Sequence, residues 1–330
     1  MGHNLFREQM AFVGKTPWHG LGERVPPSVS AEEICRAAGL NWAVHKLPAP
    51  GARIVNKEKQ LYDRYLVCRE PGGDEQSPVT LGLVTAAYEI MQNAEAFDFF
   101  RPFIESGLAT FHTAGALGNG ERVWVLVKLN GQMKIRGDDV VDRFLLLSNV
   151  HNGSGAVSVR FTPIRVVCQN TLNLATKNRS AAISIRHTRN LTKNLADAQA
   201  QQLLHVIDKI FSDAEHVFSA MASLNTSSAQ EGSYLEMLFP RKDKGTIPAR
   251  WKRVLGILDD RSVTPDGTQK TLWGLYNAVT HDEDYRANRT THDNSESSAN
   301  ARLSRVWFGS GCDLKIKAYT VAQQFLKNAA

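Results

Sequence analysis

The sequence has few cysteines, and they form no recognisable metal or redox motif. Cys35, Cys68, Cys168 and Cys312 lie far apart, and no two of them have C-x-x-C spacing. This pattern gives no support for a zinc knuckle or a thiol redox site, and it favours reduced, buried thiols. The G-x-S-x-G and P-loop signatures are missing too. We therefore predict no cofactor and no resident metal.

Long hydrophobic runs are also missing. No apolar segment approaches the roughly 18 residues that a membrane-spanning helix needs. The opening residues, MGHNLFREQMAFVGKTPWHG, lack a basic segment followed by a hydrophobic block. A composition of 42% hydrophobic and 22% charged residues is typical of a folded chain. We expect a cytoplasmic protein that makes no membrane contact.

Acidic residues are absent from one long stretch. No aspartate or glutamate occurs between Asp142 and Asp197. Eight cations lie there: Arg143, Arg160, Arg165, Lys177, Arg179, Arg186, Arg189 and Lys193. The whole chain has a formal net charge of only +6, so the rest of the chain is net negative. Clustered cations are the usual electrostatic signature of nucleic-acid binding, and the total charge alone says less.

Residue patterns predict an α+β fold. The opening segment has the glycine and proline content of a loop, and SAEEICRAAGL begins with capping-box spacing from Ser30 to Glu33. Two long hairpins follow in the middle of the chain, with turns at 118–120 and 151–155, and ISIRHT adds a strand. We expect a curved antiparallel sheet of β-hairpins packed by helices.

The pattern becomes helical after Asp197. Apolar residues at three- and four-residue spacing run from Leu203 to Met221, and shorter helical segments follow. The polar tract at 282–300 has almost no apolar residue to bury, so we predict a loop there. The predicted organisation is an α+β core at 1–196, which contains the basic unit, followed by a mainly helical C-terminal region at 197–330.

The acid-free stretch contains a candidate nucleic-acid surface. Strand alternation places Ser158, Arg160 and Thr162 on one face, and Val157, Val159 and Phe161 on the other. The alternation is not fixed beyond Pro163. The candidate phosphate-binding residues are Arg160, Arg165, Lys177, Arg179, Arg186 and Arg189, and Asn170 caps the short helix that positions them. The alternative is that these cations pair with acids of their own chain or of a partner subunit.

Aromatic side chains near these cations would favour single-stranded nucleic acid, because unpaired bases stack on rings. The candidates are Trp124, Phe161 and His187. Phe161 is the weakest of the three, since its alternation places it in the core.

The sequence patterns that would indicate an enzyme are weaker. His281, Asp284 and His292 have metal-ligand side chains within one tract, but their spacing matches neither a zincin nor an EF-hand. Cys168 could pair with His151 or His187, although a cysteine within RVVCQN is typical of a buried strand. The segment PWHGLG, from Pro17 to Gly22, is more typical of a packed tryptophan under a turn.

The sequence resembles the phage/plasmid-like proteins, a family with a domain of unknown function found on phages, prophages and conjugative plasmids. The resemblance covers most of the chain. It is carried by MAFVGKTPWHGLG, AAGLNW, YEIMQNAEAFDFF, TAGALGNGERVWVLVKL, LLLSNVHNGSGAVSVRFTPIRVVCQNTLNLA and IRHT, and is most specific in RVVCQNTLNLA. One departure is Asn152, which stands where the family has an aspartate after the histidine.

The order of hairpins, strand and helix also resembles the single-strand annealing proteins. That resemblance implies that several copies form a ring or filament and hold single-stranded DNA along a basic groove. Our leading hypothesis is a mobile-element DNA-binding protein that anneals single strands in recombination without chemical catalysis. The alternatives are a metal-dependent or nucleotide-directed enzyme, and a counter-defence protein that binds an acidic host partner.

Overall fold

The two predicted hairpins form the centre of a seven-stranded sheet in the computed structural model. The structure describes residues 5–14, 21–49, 53–56, 59–62, 64–165, 182–197, 203–243, 245–264, 267–286 and 305–329. The strands are β1 (Leu5–Val13), β2 (Glu23–Val25), β3 (Val44–Pro48), β4 (Arg53–Asn56), β5 (Lys59–Tyr62), β6 (Tyr65–Arg69), β7 (Val79–Val84), β8 (Ala109–Leu117), β9 (Arg122–Arg136), β10 (Asp139–Val150), β11 (Val157–Arg165) and β12 (Ala182–Ile185).

The large sheet has the order β12-β11-β10-β9-β8-β1-β2. Neighbouring strands are antiparallel except for β1 and β2, which are parallel. A three-stranded sheet, β3-β6-β7, and a two-stranded sheet, β4-β5, lie outside it. The hairpin turns fall where the sequence predicts them. Gly118, Gly120 and Gly153 have φ of +66°, +104° and +78° at these turns, a region that glycine enters without steric cost.

The helices fall into two groups, one before and one after the large sheet's central strands. They are α1 (Ala31–Ala37), α2 (Asn93–Asp98), α3 (Arg101–Glu105), α4 (Leu191–Asp197), α5 (Leu203–Ser223), α6 (Ser228–Leu238), α7 (Ala249–Leu258), α8 (Leu272–His281) and α9 (Ser310–Ala329). A π-helix, Asp282–Arg286, continues directly from α8. This arrangement confirms the predicted α+β class and the helical C-terminal region.

Helices cover one face of the large sheet. Strand β9 contacts α2 and α5, and Val159 and Phe161 of β11 are buried on this side. The ring centroids of Phe161 and Phe211 of α5 are 5.8 Å apart. The position of Phe161 in the core is therefore confirmed. Among the helices that the structure describes, none is long and apolar enough to cross a membrane.

The opposite face carries a second, smaller apolar cluster. Met10, Trp124 and Leu146 are buried there, and Trp307 and Phe308 from residues 305–308, just before α9, pack against them. The loop prediction for the opening segment is wrong for Leu5–Val13, because this segment pairs with β8 and buries apolar side chains on both faces of the sheet.

The loop prediction for the polar tract is wrong at its start. Asp282, Glu283 and Asp284 belong to the π-helix and are buried, although buried carboxylates are rare without positive partners. Those partners come from other helices, since Arg250 contacts Asp282 and Lys315 contacts Asp284. The error arises because the tract's own composition does not show the cations that neutralise it. Residues 287–300 lie outside the described residues.

Candidate functional site

Polar side chains of β9 to β12 line the sheet face opposite α5. The register pairs Ser148 with Ser158, and Ser158 with Ser184, so three hydroxyl groups form a row across three strands. Arg160 follows Ser158 by two residues and lies on the same face, as alternation predicts. We call this part of the sheet the arginine face; it is formed by Arg122, Ser148, Ser158, Arg160, Thr162 and Ser184, of which Ser148 and Thr162 are buried.

Two half-buried arginines are the central feature of the arginine face. Arg122 Nη1 donates a hydrogen bond to Ser148 Oγ at 3.1 Å, and its guanidinium lies 4.5 Å from the centroid of the Phe308 ring. Arg160 Nη1 donates to Cys312 Sγ at 3.6 Å. None of the contacts that Arg122 and Arg160 make with the described residues is to a carboxylate. The two cations therefore have neutral partners.

The electrostatics of this pair favour an anion. Burial lowers the pKa of Arg122, and the positive charge of Arg160 lowers it further. Burial raises the pKa of the Cys312 thiol above its usual value, so the thiol beside Arg160 is neutral and does not supply a counter-charge. An anion bound beside either guanidinium would offset this repulsion and accept charge-assisted hydrogen bonds from that arginine.

Aromatic rings border the arginines. The rings of Trp124 and Trp307 meet edge to face at 6.0 Å, and Trp307 and Phe308 are half-buried neighbours. An ion pair from Arg305 to Glu283 of the π-helix holds the turn that carries both rings. The surface thus combines guanidinium donors, hydroxyls and aromatic rings, which is the donor set that proteins use for phosphates and bases.

Of the predicted cations whose side chains the structure describes, Arg160 belongs to this pair. Arg160 lies on the arginine face, while Arg186 and Arg189 are exposed in the segment between β12 and α4. Arg165 ends β11 opposite Val141, and its side chain lies outside the described residues. Asn170, Lys177 and Arg179 also lie outside them.

Within the described part of the acid-free stretch, the pairing alternative holds for Arg143. Arg143 forms an ion pair with Asp208 of α5, and its guanidinium lies 4.8 Å from the Phe211 ring centroid. It therefore faces the helices and does not belong to the arginine face. Arg143 and Arg160 occur on adjacent strands, yet strand alternation sends them to opposite sides.

Sequence reasoning missed Arg122, Trp307 and Phe308. Arg122 precedes the acid-free stretch, but it lies two residues before Trp124 in a predicted strand and so shares its face. The alternation of the predicted strand was therefore enough to place Arg122 on the same face as Trp124. No local pattern places Trp307 and Phe308 against β9, because about 180 residues separate them in sequence.

The other predicted aromatics occupy different environments. Trp124 is buried beneath the arginine face, with its Nε1 donating to Thr113 Oγ1 at 3.4 Å. His187 is also buried, and its ring stacks on Tyr88 at 4.5 Å between centroids.

The weaker metal candidates do not converge. Asp284 accepts a hydrogen bond from Lys315 Nζ at 2.8 Å, and the ring of His281 lies 4.6 Å from that of Tyr285. His292 lies outside the described residues. Within the residues that the structure describes, no three His, Cys, Asp or Glu side chains form a group that could hold a metal ion.

His151, one of the two histidines proposed for thiol–imidazole chemistry with Cys168, is fully buried. His151 Nε2 lies 3.0 Å from Asn93 Oδ1, and burial lowers the pKa of His151 to about 3. Cys168 lies outside the described residues. Asn152, the departure from the family pattern, accepts a hydrogen bond from the Ser154 amide through Oδ1 at 2.9 Å. An aspartate oxygen can accept the same bond, so the turn tolerates either residue.

The fold and the arginine face define an α+β protein with a candidate anion-binding surface on its central sheet. Residues 80–307 match the family described as "Domain of unknown function (DUF932)". Because this match covers more than half of the chain, the protein belongs to the DUF932 family. Neither a curated protein nor a solved structure matches the chain.

Proposed function

We propose that this protein binds single-stranded DNA through the arginine face. The observation that carries the proposal is the pair Arg122 and Arg160, which are half-buried, share a face and contact no carboxylate among the described residues. Placing two cations in this setting is unfavourable without an anion, and a phosphate diester is an anion that guanidiniums and hydroxyls bind together.

The aromatic rings favour a single strand over a duplex. Trp307 and Phe308 lie beside the arginines, and an unpaired base can stack on such rings or on a guanidinium plane. A duplex hides its base faces within the stack and presents mainly phosphates and groove edges. In this proposal the predicted cations Arg165, Lys177, Arg179, Arg186 and Arg189 also bind phosphates.

We propose that the protein anneals the bound strand to a complementary strand. Holding a strand extended for pairing needs several copies, so we propose a homo-oligomer, a ring or a filament, with subunit contacts from the helical C-terminal region. The resemblance to phage and plasmid proteins supports the proposal that annealing serves the recombination of mobile elements. No chemical step is required, since pairing of complementary strands is itself favourable.

Fluorescence anisotropy with a labelled single-stranded oligonucleotide tests the proposal. The wild-type protein should bind the single strand more tightly than the matching duplex. The Arg122→Gln, Arg160→Gln double variant should bind the single strand at least about tenfold more weakly, because two charge-assisted contacts are lost. The Arg24→Gln, Arg36→Gln variant removes the same charge from two exposed arginines on other elements. Equal binding by wild-type protein and both variants would refute the proposal.

A further inference from the structure

A second cleft lies apart from the arginine face, between β7 and the segment that follows β12. It has a volume of about 430 Å³, and its lining includes Arg64, Leu83, Tyr88, Gly153 and His187. Gly153 of the β10–β11 turn forms part of one wall. This turn packs closely against β7, because Gly82 of β7 has no side chain at the point of contact. A Cβ atom on Gly82 would lie only 2.5 Å from Asn152 Cα. The volume is in the usual range for small-molecule sites.

His187 is held rigidly in this cleft. Its Nδ1 lies 2.8 Å from the carbonyl oxygen of Glu89, which can only accept, so Nδ1 carries the proton and Nε2 is an acceptor. The Glu89 amide donates back to the His187 carbonyl oxygen at 3.1 Å, and the imidazole stacks on Tyr88. Nε2 is buried and has no hydrogen-bond partner among the described residues.

Such an acceptor is unusual in a folded core. A buried polar atom without a partner destabilises the protein by about 1–3 kcal/mol, so most are satisfied. The same end of the sheet contains two more, His151 Nδ1 and Asn149 Oδ1. Tyr88 connects them to the cleft, since it stacks on His187 and donates to the Val150 carbonyl oxygen at 3.0 Å. Unsatisfied polar atoms that gather beside a cleft indicate a ligand site.

The lining defines the chemistry of the ligand. His187 Nε2 requires an N–H or O–H donor. Leu83 is 55% exposed, so it offers an apolar wall to a flat, weakly polar group, and Tyr88 borders the same space. Arg64 also lines the cleft, and a guanidinium favours a negatively charged group. A planar ring system with N–H donors and a phosphate has all three properties.

We propose that this cleft binds a nucleotide, with its base against Leu83, a donor group on His187 and its phosphate towards Arg64. The nucleotide is either free or the end of a DNA strand. The proposal does not depend on the arginine face, because the two sites share no residue.

Isothermal titration calorimetry with deoxyadenosine monophosphate tests the site. We expect the wild-type protein to bind it, and His187→Ala to weaken binding at least about tenfold through loss of the acceptor. Leu83→Ser should also weaken binding. Leu47→Ser is its matched control, because Leu47 is a 46% exposed leucine outside the cleft, and it should leave binding unchanged. Arg64→Gln should reduce the affinity for the monophosphate to that for deoxyadenosine.

Two results would overturn the proposal. One is no detectable binding by the wild-type protein, and the other is equal binding by wild-type protein and Leu83→Ser, which decides the matter even if His187→Ala does not fold. Displacement of the monophosphate by a 5′-phosphorylated oligonucleotide supports a strand end as the ligand, and its absence supports a free nucleotide. The Arg122→Gln, Arg160→Gln variant should retain monophosphate binding. The test of this cleft is therefore independent of the test of DNA binding by the arginine face.

Discussion

At the scale of single residues, Arg69 shows how this protein tolerates a buried charge. The residue is only 1% exposed. Its Nη1 and Nη2 atoms each lie 2.6 Å from a carboxylate oxygen of Glu75, and Nε donates to the Asn119 carbonyl oxygen at 2.7 Å. Its guanidinium also lies 4.5 Å from the Phe6 ring centroid. Such bidentate pairing is the arrangement that compensates for the loss of water around a guanidinium.

The ion pair between Arg69 and Glu75 should make the stability of the protein depend on pH. The hydrogen bonds from Arg69 lower the pKa of Glu75 from 4.5 to about 2 in the folded protein. Because the folded pKa lies below the unfolded one, Glu75 stabilises the protein above pH 4.5, and this contribution is lost as the pH falls towards 2. Glu75→Gln should therefore lower the free energy of unfolding at pH 7, and the difference from wild type should shrink below pH 4.5.

Urea unfolding between pH 7 and pH 3 checks this prediction. The exposed neighbour Asp74 provides a control, and Asp74→Asn should change stability little at any pH in this range. A difference between wild type and Glu75→Gln that stays constant with pH would contradict the assigned role.

At the scale of elements, the π-helix is the centre of a buried ionic cluster. Asp282 accepts hydrogen bonds from Arg250 at 2.9 Å and from Arg253 at 3.0 Å, so it joins α7 to the end of α8. Lys315, which is 0% exposed, brings α9 into the same cluster. These contacts fix the C-terminal helix and, through Arg305, the turn that carries the aromatic rings of the arginine face.

Substitution of Lys315 tests this cluster. Lys315→Met removes the cation beside the buried Asp284 carboxylate, and breaking a buried ion pair in this way destabilises proteins by about 3–5 kcal/mol. Lys317→Met is the matched control, since Lys317 lies on the same helix but is exposed. Its effect should be within about 0.5 kcal/mol of zero. Similar midpoints of urea unfolding for the two variants would show that the cluster does not stabilise the fold.

The contact between β7 and the β10–β11 turn gives a second prediction for elements. Gly82→Ala places a methyl group against the backbone of Asn152, and this clash should destabilise the protein by about 1–3 kcal/mol. Gly256→Ala is the control: Gly256 lies in α7 with open space around its Cα, so alanine should stabilise the helix by up to about 1 kcal/mol. Thermal unfolding compares the two variants, and a shift in the same direction for both would contradict the predicted contact.

Local patterns predicted the elements well. The hairpins, the capping box at Ser30, and the long amphipathic helix α5 follow from turn glycines, cap spacing and periodicity, which act over a few residues. The same reasoning placed Arg160 and Phe161 on opposite faces. These features could be read from the sequence because each is determined by neighbouring residues.

The candidate site could be predicted only in part. The meeting of Arg122, Arg160 and Phe308 depends on the strand order and on the docking of residues 305–308, which bring distant segments together. The pairing of Arg143 with Asp208, and of Asp284 with Lys315, likewise depends on helix packing. A charge count along the chain does not distinguish a cation that is neutralised in the fold from one that is not.

At the scale of the whole molecule, the large sheet separates two environments. Helices cover one face with a continuous apolar core, while the other face combines a small apolar cluster with the two arginines. Arg186 and Arg189 lie exposed beside the edge strand β12. This distribution places the half-buried guanidiniums of Arg122 and Arg160 beside the smaller apolar cluster, and the proposed binding of single-stranded DNA depends on these two side chains.

The salt dependence of oligonucleotide binding tests this central claim most directly. Each phosphate contact on a single strand contributes about 0.7 to the slope of log affinity against log salt concentration. The Arg122→Gln, Arg160→Gln variant should therefore show a slope smaller by about 1.4 than that of the wild-type protein, while the Arg24→Gln, Arg36→Gln variant keeps the wild-type slope. An unchanged slope in the first variant, or an equal reduction in both, would contradict the assignment of phosphate contacts to the arginine face.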